Sequence, residues 1–458
     1  MSRFNSPPQL PAMAEAPQRE TLSITVVPLV LFILTVVTLN STQFWWVPRS
    51  LGVLLAIAFA IQSIRSRALP IPEMVLYGLW LMWSFTGLFG CKVPEAFWEE
   101  WFTLAQVGIL LLIVAGFTVS RKTLAVVLLA ILVAVLAIGA YAYVTGAYRA
   151  AEMVGGRAAI QFTNVNLFGW YMVIGTSIIA YFWMMPSRSR LVKYGLLIAG
   201  LALTTMACIA SGSRMAIIGL VFFYLAWIVL CYGKVMLQRP SVLMAVVGGG
   251  IVGGAAFAWY FAHTGAFERF RGALELLSGS TYGGGAGIRL VLFREGLRLF
   301  QESPLIGVGL NNFICNTPTR FVGHSEYIEV LCDTGLVGAV LYFGMFAICA
   351  RRAWLIAKYS SDAFTANIGR LVVAIILTVL LTDLANYHYG MKVSWLWFAA
   401  FMGYTGAVWH DLRIQLAERA APAAAGDAYG LYPGMGPTAA GRAMSAFPSS
   451  GGDRTLHP

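Results

Sequence analysis

The chain has 458 residues, of which 59% are hydrophobic and only 11% are charged. A soluble domain carries about 25% charged residues, so these proportions exclude a soluble enzyme, a nucleic-acid-binding domain and a secreted disulfide-rich domain. A membrane helix needs roughly 20 apolar residues, and the chain has enough for about a dozen such helices. The net charge of +11 therefore bears on membrane topology and does not indicate nucleic acid.

Hydrophobic runs separated by charged or turn-forming residues predict twelve membrane spans. The narrowest separation is Ser211-Gly212-Ser213, and fusion of the runs on either side would invert the topology of everything downstream. The sequence therefore predicts an all-α polytopic integral membrane protein, with spans at 22–40, 47–64, 72–90, 101–119, 123–145, 166–185, 193–210, 214–232, 241–262, 329–350, 368–387 and 393–410.

Lysine and arginine are unevenly divided between alternate breaks. One set of breaks holds thirteen of them, and the short breaks of the opposite set hold six. The positive-inside rule assigns the richer set to the cytoplasm, which also places both chain termini there. The six outward residues are Arg49, Lys92, Arg149, Arg157, Arg214 and Lys392.

This topology divides the chain into three segments. Residues 1–21 are polar and Pro-rich, and we expect them to be a cytoplasmic segment and no cleaved signal peptide, because the run that follows is long enough to span. Residues 22–410 form the transmembrane domain. Residues 411–458 are rich in Ala, Pro, Gly and Ser, which predicts a disordered cytoplasmic tail.

One outward break, residues 263–328, is far longer than the others. It contains two stretches with helical spacing, 266–277 and 287–303, joined by a glycine-rich segment. We therefore expect a helical periplasmic cap that lies over the outer membrane surface. In the second stretch the spacing predicts an apolar face and a basic face, formed by Leu290, Phe293, Leu297 and Phe300 and by Arg294 and Arg298, respectively.

Of the outward histidines, His324 has the position that best suits a catalytic role. It lies where the long loop re-enters the membrane, and Glu326 and Glu329 follow it closely. A histidine in this setting has a pKa that suits general-base catalysis. The alternative is an interfacial histidine whose partners are lipid headgroups and water.

Arginine supplies nearly all of the outward positive charge. Its guanidinium binds phosphate through two parallel hydrogen bonds and stays charged when it is partly desolvated. Arg214 begins a span, where an unpaired charge is costly and a helix N-terminus adds positive potential. The alternatives are contacts with anionic lipids or pairing with Glu152, Glu295 or Glu302. The outward arginines are Arg149, Arg157, Arg214, Arg269, Arg271, Arg289, Arg294, Arg298 and Arg320.

The outward side has few residues suited to metal binding. No two histidines lie at metal-ligand spacing and no paired-aspartate motif occurs there, so the sequence predicts neither a metal nor a cofactor. Cys91 and Cys315 both lie in outward loops, which leaves a disulfide between them open. Asp383 is an acid inside a predicted span, and pairing with an arginine or support of a site are both open for it.

Four sequence pieces together resemble the O-antigen ligase and polymerase superfamily of bacterial membrane glycosyltransferases. Their order, their spacing and the long outer loop before the tenth span carry the resemblance. The pieces are GRAAIQFTNVNLFGWY (156–171), GSRMAIIGL (212–220), GIRLVLFREGLRLFQESPLIGVGLNNF (287–313) and GHSEYIEVLCDTGLVGAVLYF (323–343).

The resemblance implies an inverting, metal-independent transfer of a glycan from an undecaprenyl pyrophosphate carrier. It places the essential loop arginine at Arg289, the membrane-edge arginine at Arg214 and the histidine at His324. Ligases often have Asn after that histidine, whereas this chain has Ser325, which weakens the ligase assignment relative to polymerase. We expect substrate contacts from Arg157, Arg294, Arg298, Ser325 and Glu326.

The sequence thus predicts a glycosyltransferase of the bacterial inner membrane that acts at the periplasmic face. It is either a ligase that transfers onto a lipid-linked core or a polymerase that joins carrier-linked repeats. A transporter of the same lipid-linked sugar and a non-catalytic assembly subunit are the alternatives, and the lack of a convincing internal repeat argues against transport. The expected partners are the carrier-linked donor, the acceptor and membrane lipids, without nucleic acid.

Overall fold

The computed structural model describes most of the hydrophobic part of the chain. Within the described residues the chain is helical and contains no strand, which confirms the predicted all-α class. The described residues are 26–38, 46–66, 72–145, 165–187, 189–241, 243–244, 248, 250, 254–255, 285–317, 321–387 and 389–430.

The helices follow the hydrophobic runs closely. The first eight are α1 (Val26–Thr38), α2 (Trp46–Ser66), α3 (Pro72–Trp83), α4 (Pro94–Phe117), α5 (Arg121–Val144), α6 (Val165–Met184), α7 (Arg190–Ala210) and α8 (Arg214–Gln238), with a 3-10 helix at Ser84–Phe89. The later ones are α9 (Gly285–Glu302), α10 (Phe313–Asn316), α11 (Glu326–Tyr359), α12 (Ala363–Thr382) and α13 (Lys392–Gly430).

Seven of the helices in the described ranges are long and apolar enough to cross a membrane, namely α4 to α8, α11 and α12. Helix α1 and the segment Trp46–Ala58 of α2 are apolar but shorter. These helices indicate a multi-pass membrane protein. Most of the predicted span at 241–262 lies outside the described residues, as does the first helix expected in the cap, so the count of twelve and the complete cap remain predictions.

The separation between α7 and α8 depends on three small residues. Gly212 has a φ of +59°, a left-handed conformation that glycine adopts without steric cost, and the chain reverses there. Ser213 then caps α8, because its hydroxyl accepts a hydrogen bond from the backbone N–H of Ala216 at 3.4 Å. The two runs that the sequence separated at this point are therefore two helices.

A buried ion pair joins α3 to α11. Arg352 Nη1 donates to Glu73 Oε2 at 2.8 Å, with 6% and 0% of the side chains exposed. The same guanidinium also donates to the Thr405 hydroxyl and the Met402 carbonyl, both at 3.1 Å. The Arg352 guanidinium is well satisfied by these acceptors, whereas Glu73 Oε1 is buried and has no hydrogen-bond partner among the described residues. Loss of either partner would leave the other charge buried and uncompensated.

Helix α11 is broken at Gly335, which sequence periodicity did not predict. Its φ of 67° and ψ of −173° are not helical, so Glu326–Thr334 forms a short segment before the main helix. The chain at Leu305 packs into the break so closely that a methyl group on Gly335 would overlap the Leu305 carbonyl carbon. Glycine is thus required at this position for two reasons. Its backbone conformation is one that other residues rarely adopt, and there is no space for a side chain.

Carbonyl groups beside this break accept hydrogen bonds from outside the helix. A buried carbonyl without a partner is costly, and neighbouring segments provide the donors here. The Cys332 carbonyl accepts from Val308 N at 2.7 Å, the Asp333 carbonyl from Gly309 N at 3.1 Å, and the Thr334 carbonyl from Trp83 Nε1 at 3.0 Å.

Helix α9 buries a different face from the one predicted. Leu292 and Leu299 are buried, whereas Phe293 and Leu297 of the predicted apolar face are half-exposed, as is Leu290. The reason is Gly296, which lies between the buried leucines and approaches Ile328 so closely that a methyl group would overlap the isoleucine Cγ2. The glycine-centred face therefore packs against α11.

The chain divides into two compact units, Met1–Ala407 and Val408–Pro458. In the second unit the residues as far as Gly430 are described, and they are helical. Their many alanines favour helix, and the disorder expected for 411–458 stays a prediction. The remainder of the predicted tail, 431–458, lies outside the described residues.

Candidate functional site

A cavity of about 210 Å³ lies where the beginning of α6 meets the segments that precede α11 and α13. His324 lines it, together with aromatic and amide side chains that suit a sugar, since they combine flat apolar faces with hydrogen-bonding groups. Its lining includes Asn166 and Trp170 of α6, Val322 and His324, and Asn386 and Tyr387 of the segment before α13.

His324 is half-buried, and its neighbours on both sides are held by hydrogen bonds. The backbone N–H of Gly323 donates to the Glu329 carboxylate. On the other side, the N–H of Glu326 donates to the carbonyls of Asp383 at 2.9 Å and Asn386 at 2.8 Å. The backbone on both sides of His324 is thus held by the start of α11 and by the segment that follows α12.

Arg289 lies within electrostatic reach of His324. It occupies the position one turn before Leu292, on the face of α9 that packs against α11. Burial, and then the positive charge of Arg289, lower the pKa of His324 below its ordinary value of 6.5. The imidazole is therefore neutral at neutral pH and able to accept a proton.

Arg214 adds a second guanidinium to the same place. Burial, and then the charge of Arg214, lower the pKa of Arg289. Helix α8, which Arg214 begins, abuts α6 so closely that a methyl group on Gly169 would lie 2.7 Å from both Ala216 Cβ and Ser211 Oγ. The positive end of α8 therefore lies beside the α6 residues that line the cavity.

Sequence reasoning missed a buried network of acids and tyrosines behind His324. Glu326 accepts from the Tyr342 hydroxyl and, at 3.3 Å, from Tyr389 N. Asp333 accepts from the Tyr389 hydroxyl at 2.6 Å and from Asn311 N at 3.0 Å. A signal was present, since positions 326, 329 and 333 recur with helical spacing and place three carboxylates on one face of an apolar segment.

The other residues that the sequence assigned to the site have surroundings different from those of His324, Arg289 and Arg214. Ser325 is buried and its hydroxyl donates to the Asp383 carbonyl at 3.4 Å, and the Glu326 carboxylate is buried in the network. Arg294 is exposed. Arg298 pairs with Glu295 at 3.0 Å and also with Glu302, which was one of the alternatives for the outward arginines. Arg157 lies outside the described residues.

The sequence predicts no metal site and leaves a disulfide between Cys91 and Cys315 open. Across the part of the chain that the structure describes, no three His, Cys, Asp or Glu side chains are grouped so that they could hold a metal ion. Cys91 and Cys315 are both free thiols, so the structure has no disulfide between them.

Comparison with protein families links part of the chain to a known family. The model of the O-antigen ligase family matches residues 199–343, about a third of the chain. This range contains Arg214, Arg289 and His324 and three of the four sequence pieces that carried the resemblance, which confirms the resemblance to that superfamily. No curated protein matches the chain.

Proposed function

Because residues 199–343 match the O-antigen ligase family, we propose that the protein is a membrane glycosyltransferase that acts on lipid-linked glycans. In this proposal it moves a glycan from an undecaprenyl pyrophosphate carrier to an acceptor sugar hydroxyl, at the periplasmic face of the bacterial inner membrane. The observation that supports the proposal is that Arg214, Arg289 and His324, which are far apart in sequence, lie within electrostatic reach of one another in turn, and that His324 lines a cavity.

The two arginines bind the pyrophosphate of the donor. Arg289 and Arg214 repel each other in the absence of substrate, and a dianionic group between them removes that repulsion. Their guanidinium groups also stabilise the charge that develops on the leaving oxygen as the glycosidic bond breaks. Arginine suits this role because it stays protonated despite burial and presents a planar set of donors to phosphate oxygens.

His324 accepts the proton of the attacking hydroxyl. The acceptor oxygen forms a bond to the anomeric carbon from the face opposite the carrier, the bond from that carbon to the phosphate oxygen breaks, and its electron pair leaves with the pyrophosphate. The proton moves to the imidazole, whose lowered pKa keeps it neutral and ready to accept. Attack from the opposite face inverts the configuration at the anomeric carbon.

The cavity holds the acceptor sugar beside His324. Trp170 and Tyr387 offer aromatic faces, and Asn166 and Asn386 offer amide groups for sugar hydroxyls. Glu326 and Ser325 support the imidazole from within the protein, since both make their hydrogen bonds inside the fold. We therefore assign these two residues to positioning His324, and Arg298 to the ion pairs of α9.

A polymerase that joins carrier-linked repeats is the second candidate. Ser325 favours it, because the residue after the histidine is often Asn in ligases. The two activities share the donor and differ in the acceptor, so an assay of the full-length protein in liposomes should offer both a lipid-linked core and a second carrier-linked repeat. Transfer to the core alone identifies a ligase, and transfer to the repeat alone identifies a polymerase.

Replacement of His324 by Ala tests the catalytic assignment. The change His324→Ala should lower the transfer rate by about 10²–10⁴-fold, the usual cost of losing a general base, and should leave binding of the carrier-linked donor intact. His410→Ala is the matched control, because His410 is an exposed histidine in the second unit. A correctly folded His324→Ala protein that transfers glycan at the unmodified rate contradicts the proposal.

The same assay tests whether arginines alone neutralise the leaving group. Since two guanidinium groups supply the positive charge, transfer should continue at an unchanged rate in EDTA. A rate that falls in EDTA and returns when a divalent ion is added would overturn this part of the mechanism.

A further inference from the structure

A second cavity, of about 320 Å³, lies between α1, α2 and α4 and shares no lining residue with the cavity of His324. Its walls are mainly apolar. They include Phe32 and Val36 of α1, Gly52 and Val53 of α2, and Ile109 and Ile113 of α4. Val53 and Ile109 are 60% and 47% exposed, so the apolar wall continues onto the outer surface of the bundle, where lipid chains surround a membrane protein.

Two cations and one amide lie at the same end of this apolar cavity. Arg49 is near the start of α2, and Lys392 begins α13, and both line the cavity. Lys392 Nζ donates to Gln106 Oε1 at 2.6 Å, and the charges of Arg49 and Lys392 are close enough to repel each other. From Arg49 along α2, and from Gln106 along α4, the lining residues that follow are apolar.

The predicted topology makes it unusual that Arg49 and Lys392 lie close together. Arg49 and Lys392 are two of only six Lys and Arg residues in the short outward breaks, the side on which the positive-inside rule disfavours positive charge. Two positive charges beside one cavity attract an anionic group to it. A phosphate fits this place, because lysine and arginine are the usual phosphate-binding side chains.

We propose that this cavity binds one anionic phospholipid of the outer leaflet, with its phosphate between Arg49 and Lys392 and an acyl chain along the apolar walls of α1, α2 and α4. The charge of the cations selects the anionic headgroup, and the opening at Val53 and Ile109 admits the chain from the bilayer. The site is separate from glycan transfer, and the proposal does not depend on the proposed function.

Native mass spectrometry of the full-length protein, stripped of lipid in detergent, tests this site. Phosphatidylglycerol and phosphatidylcholine are added separately, and the fraction of protein with one bound lipid is followed against lipid concentration. We expect phosphatidylglycerol to bind more tightly than phosphatidylcholine. The double variant Arg49→Gln/Lys392→Gln should weaken phosphatidylglycerol binding by about tenfold or more, given the usual contribution of a basic residue to anionic-lipid binding.

Two further variants separate the site from a general effect of charge or folding. Arg239→Gln/Lys358→Gln removes two positive charges from the predicted cytoplasmic side and should leave binding unchanged. Gly52→Leu keeps both cations and fills the cavity, since even a methyl group on Gly52 would lie 3.2 Å from Phe32, and it should weaken binding. Each variant is compared by thermal unfolding in detergent, so that a folding defect is recognised.

Three results would overturn the proposal. Equal affinity for both phospholipids would remove the role of the headgroup charge. Unchanged phosphatidylglycerol binding in folded Arg49→Gln/Lys392→Gln protein would place the lipid elsewhere. Displacement of the bound phosphatidylglycerol by a phosphorylated glycolipid acceptor at stoichiometric concentration would show that the occupant is the acceptor lipid and that the assignment to a phospholipid is wrong.

Discussion

His324 has a φ of +53°, a left-handed conformation that residues other than glycine rarely adopt. Such a conformation costs of order 1–3 kcal/mol and persists because the surrounding structure imposes it. Here the hydrogen bonds of Gly323 N and Glu326 N hold the chain on both sides. This strained turn directs the imidazole into the cavity. Glycine at position 324 would have no side chain to direct there, and the base would be lost.

The pKa of His324 predicts how transfer depends on pH. Burial and the charge of Arg289 lower this pKa below 6.5. In the proposed mechanism the neutral imidazole is the active form, so activity should be retained down to a pH below 6.5 and lost as pH falls through the lowered pKa. The measurement is a pH profile of kcat/KM, which reports the free enzyme. An acidic limb with its midpoint above pH 6.5 would contradict the assignment of His324 as the base.

Arg289 and Arg214 should respond differently to substitution. Arg289→Lys keeps the charge and loses the planar donor set, so we expect transfer to fall by roughly tenfold or more, in line with the loss of a bidentate contact. Arg214→Ala should weaken both donor binding and rate, because its partner is present before the reaction as well as during it. Both are measured as donor affinity and transfer rate.

Arg351→Lys provides the matched control for these substitutions, since Arg351 is exposed and lies on the predicted cytoplasmic side. A control variant that loses transfer as strongly as Arg289→Lys would show that the effect is not specific to the site. Equal transfer by Arg289→Lys and unmodified protein would remove the bidentate role.

The site residues were predictable to an uneven degree. Arg214, Arg289 and His324 came from a resemblance in short motifs, and the structure brings them together. The bond from Tyr389 to Asp333 was not predictable, because it joins residues 56 positions apart and no local spacing records it. Arg298 is also an arginine of α9, but Glu295 and Glu302 on the same helix form ion pairs with it. The two arginines therefore differ in role because they occupy different positions on the helix.

At the scale of single elements, the break in α11 positions part of the site. The short segment Glu326–Thr334 begins beside His324 and carries Glu326, Glu329 and Asp333 inward, whereas the main part of the helix continues as a span. Because Leu305 packs into the break, the segment after α9 is tied to α11. The position of Arg289 relative to His324 therefore depends on this joint.

Gly335→Ala should destabilise the protein. The new methyl group would overlap the Leu305 carbonyl carbon and would face a φ of +67°, and such a combination of overlap and backbone strain costs on the order of 2–4 kcal/mol. The control is Gly233→Ala in α8, where nothing lies within 4 Å of the added carbon. Thermal unfolding in detergent should give a lower Tm for Gly335→Ala alone, and an equal Tm for the two variants would contradict the need for glycine.

Hydrophobic runs predicted where helices lie, but not how they pack or bend. The boundary at Ser211-Gly212-Ser213 was predictable, because three small polar residues interrupt a long run. The buried face of α9 was not, since two apolar faces have equal spacing and only the contact of Gly296 with Ile328 decides between them. The break at Gly335 was not predicted, because the hydrophobic run resumes at Leu336 and Val337 and the polar pair Asp333 and Thr334 is too short to end a predicted span.

At the scale of the whole molecule, the candidate site and the lipid cavity both lie at ends of helices that the charge distribution assigns to the outside. Arg214, Arg49 and Lys392 all belong to the small outward set of cations. The lining of the two cavities draws on different helices, α6 for one and α1, α2 and α4 for the other. The sequence bias therefore predicts that both binding events occur on the same side of the membrane.

Labelling of Cys315 tests this orientation. Cys315 is an exposed free thiol in the predicted outward loop, so a maleimide that cannot cross membranes should modify it in intact spheroplasts. Cys91→Ser/Cys315→Ser should abolish that labelling, because Cys91 is the other free thiol expected in an outward loop. Arg239→Cys in the same background should react only after permeabilisation. Labelling of Cys315 that requires permeabilisation would place the site on the cytoplasmic side and contradict the topology.

The ion pair between Glu73 and Arg352 also bears on the order in which the chain is assembled. The partners are 279 positions apart, and at a synthesis rate of 5–20 residues per second they leave the ribosome about 15 to 55 seconds apart. During that interval the α3 carboxylate has no counter-charge from α11, and an uncompensated carboxylate is costly to enclose. Helix α3 therefore reaches its final packing only after α11 has been made.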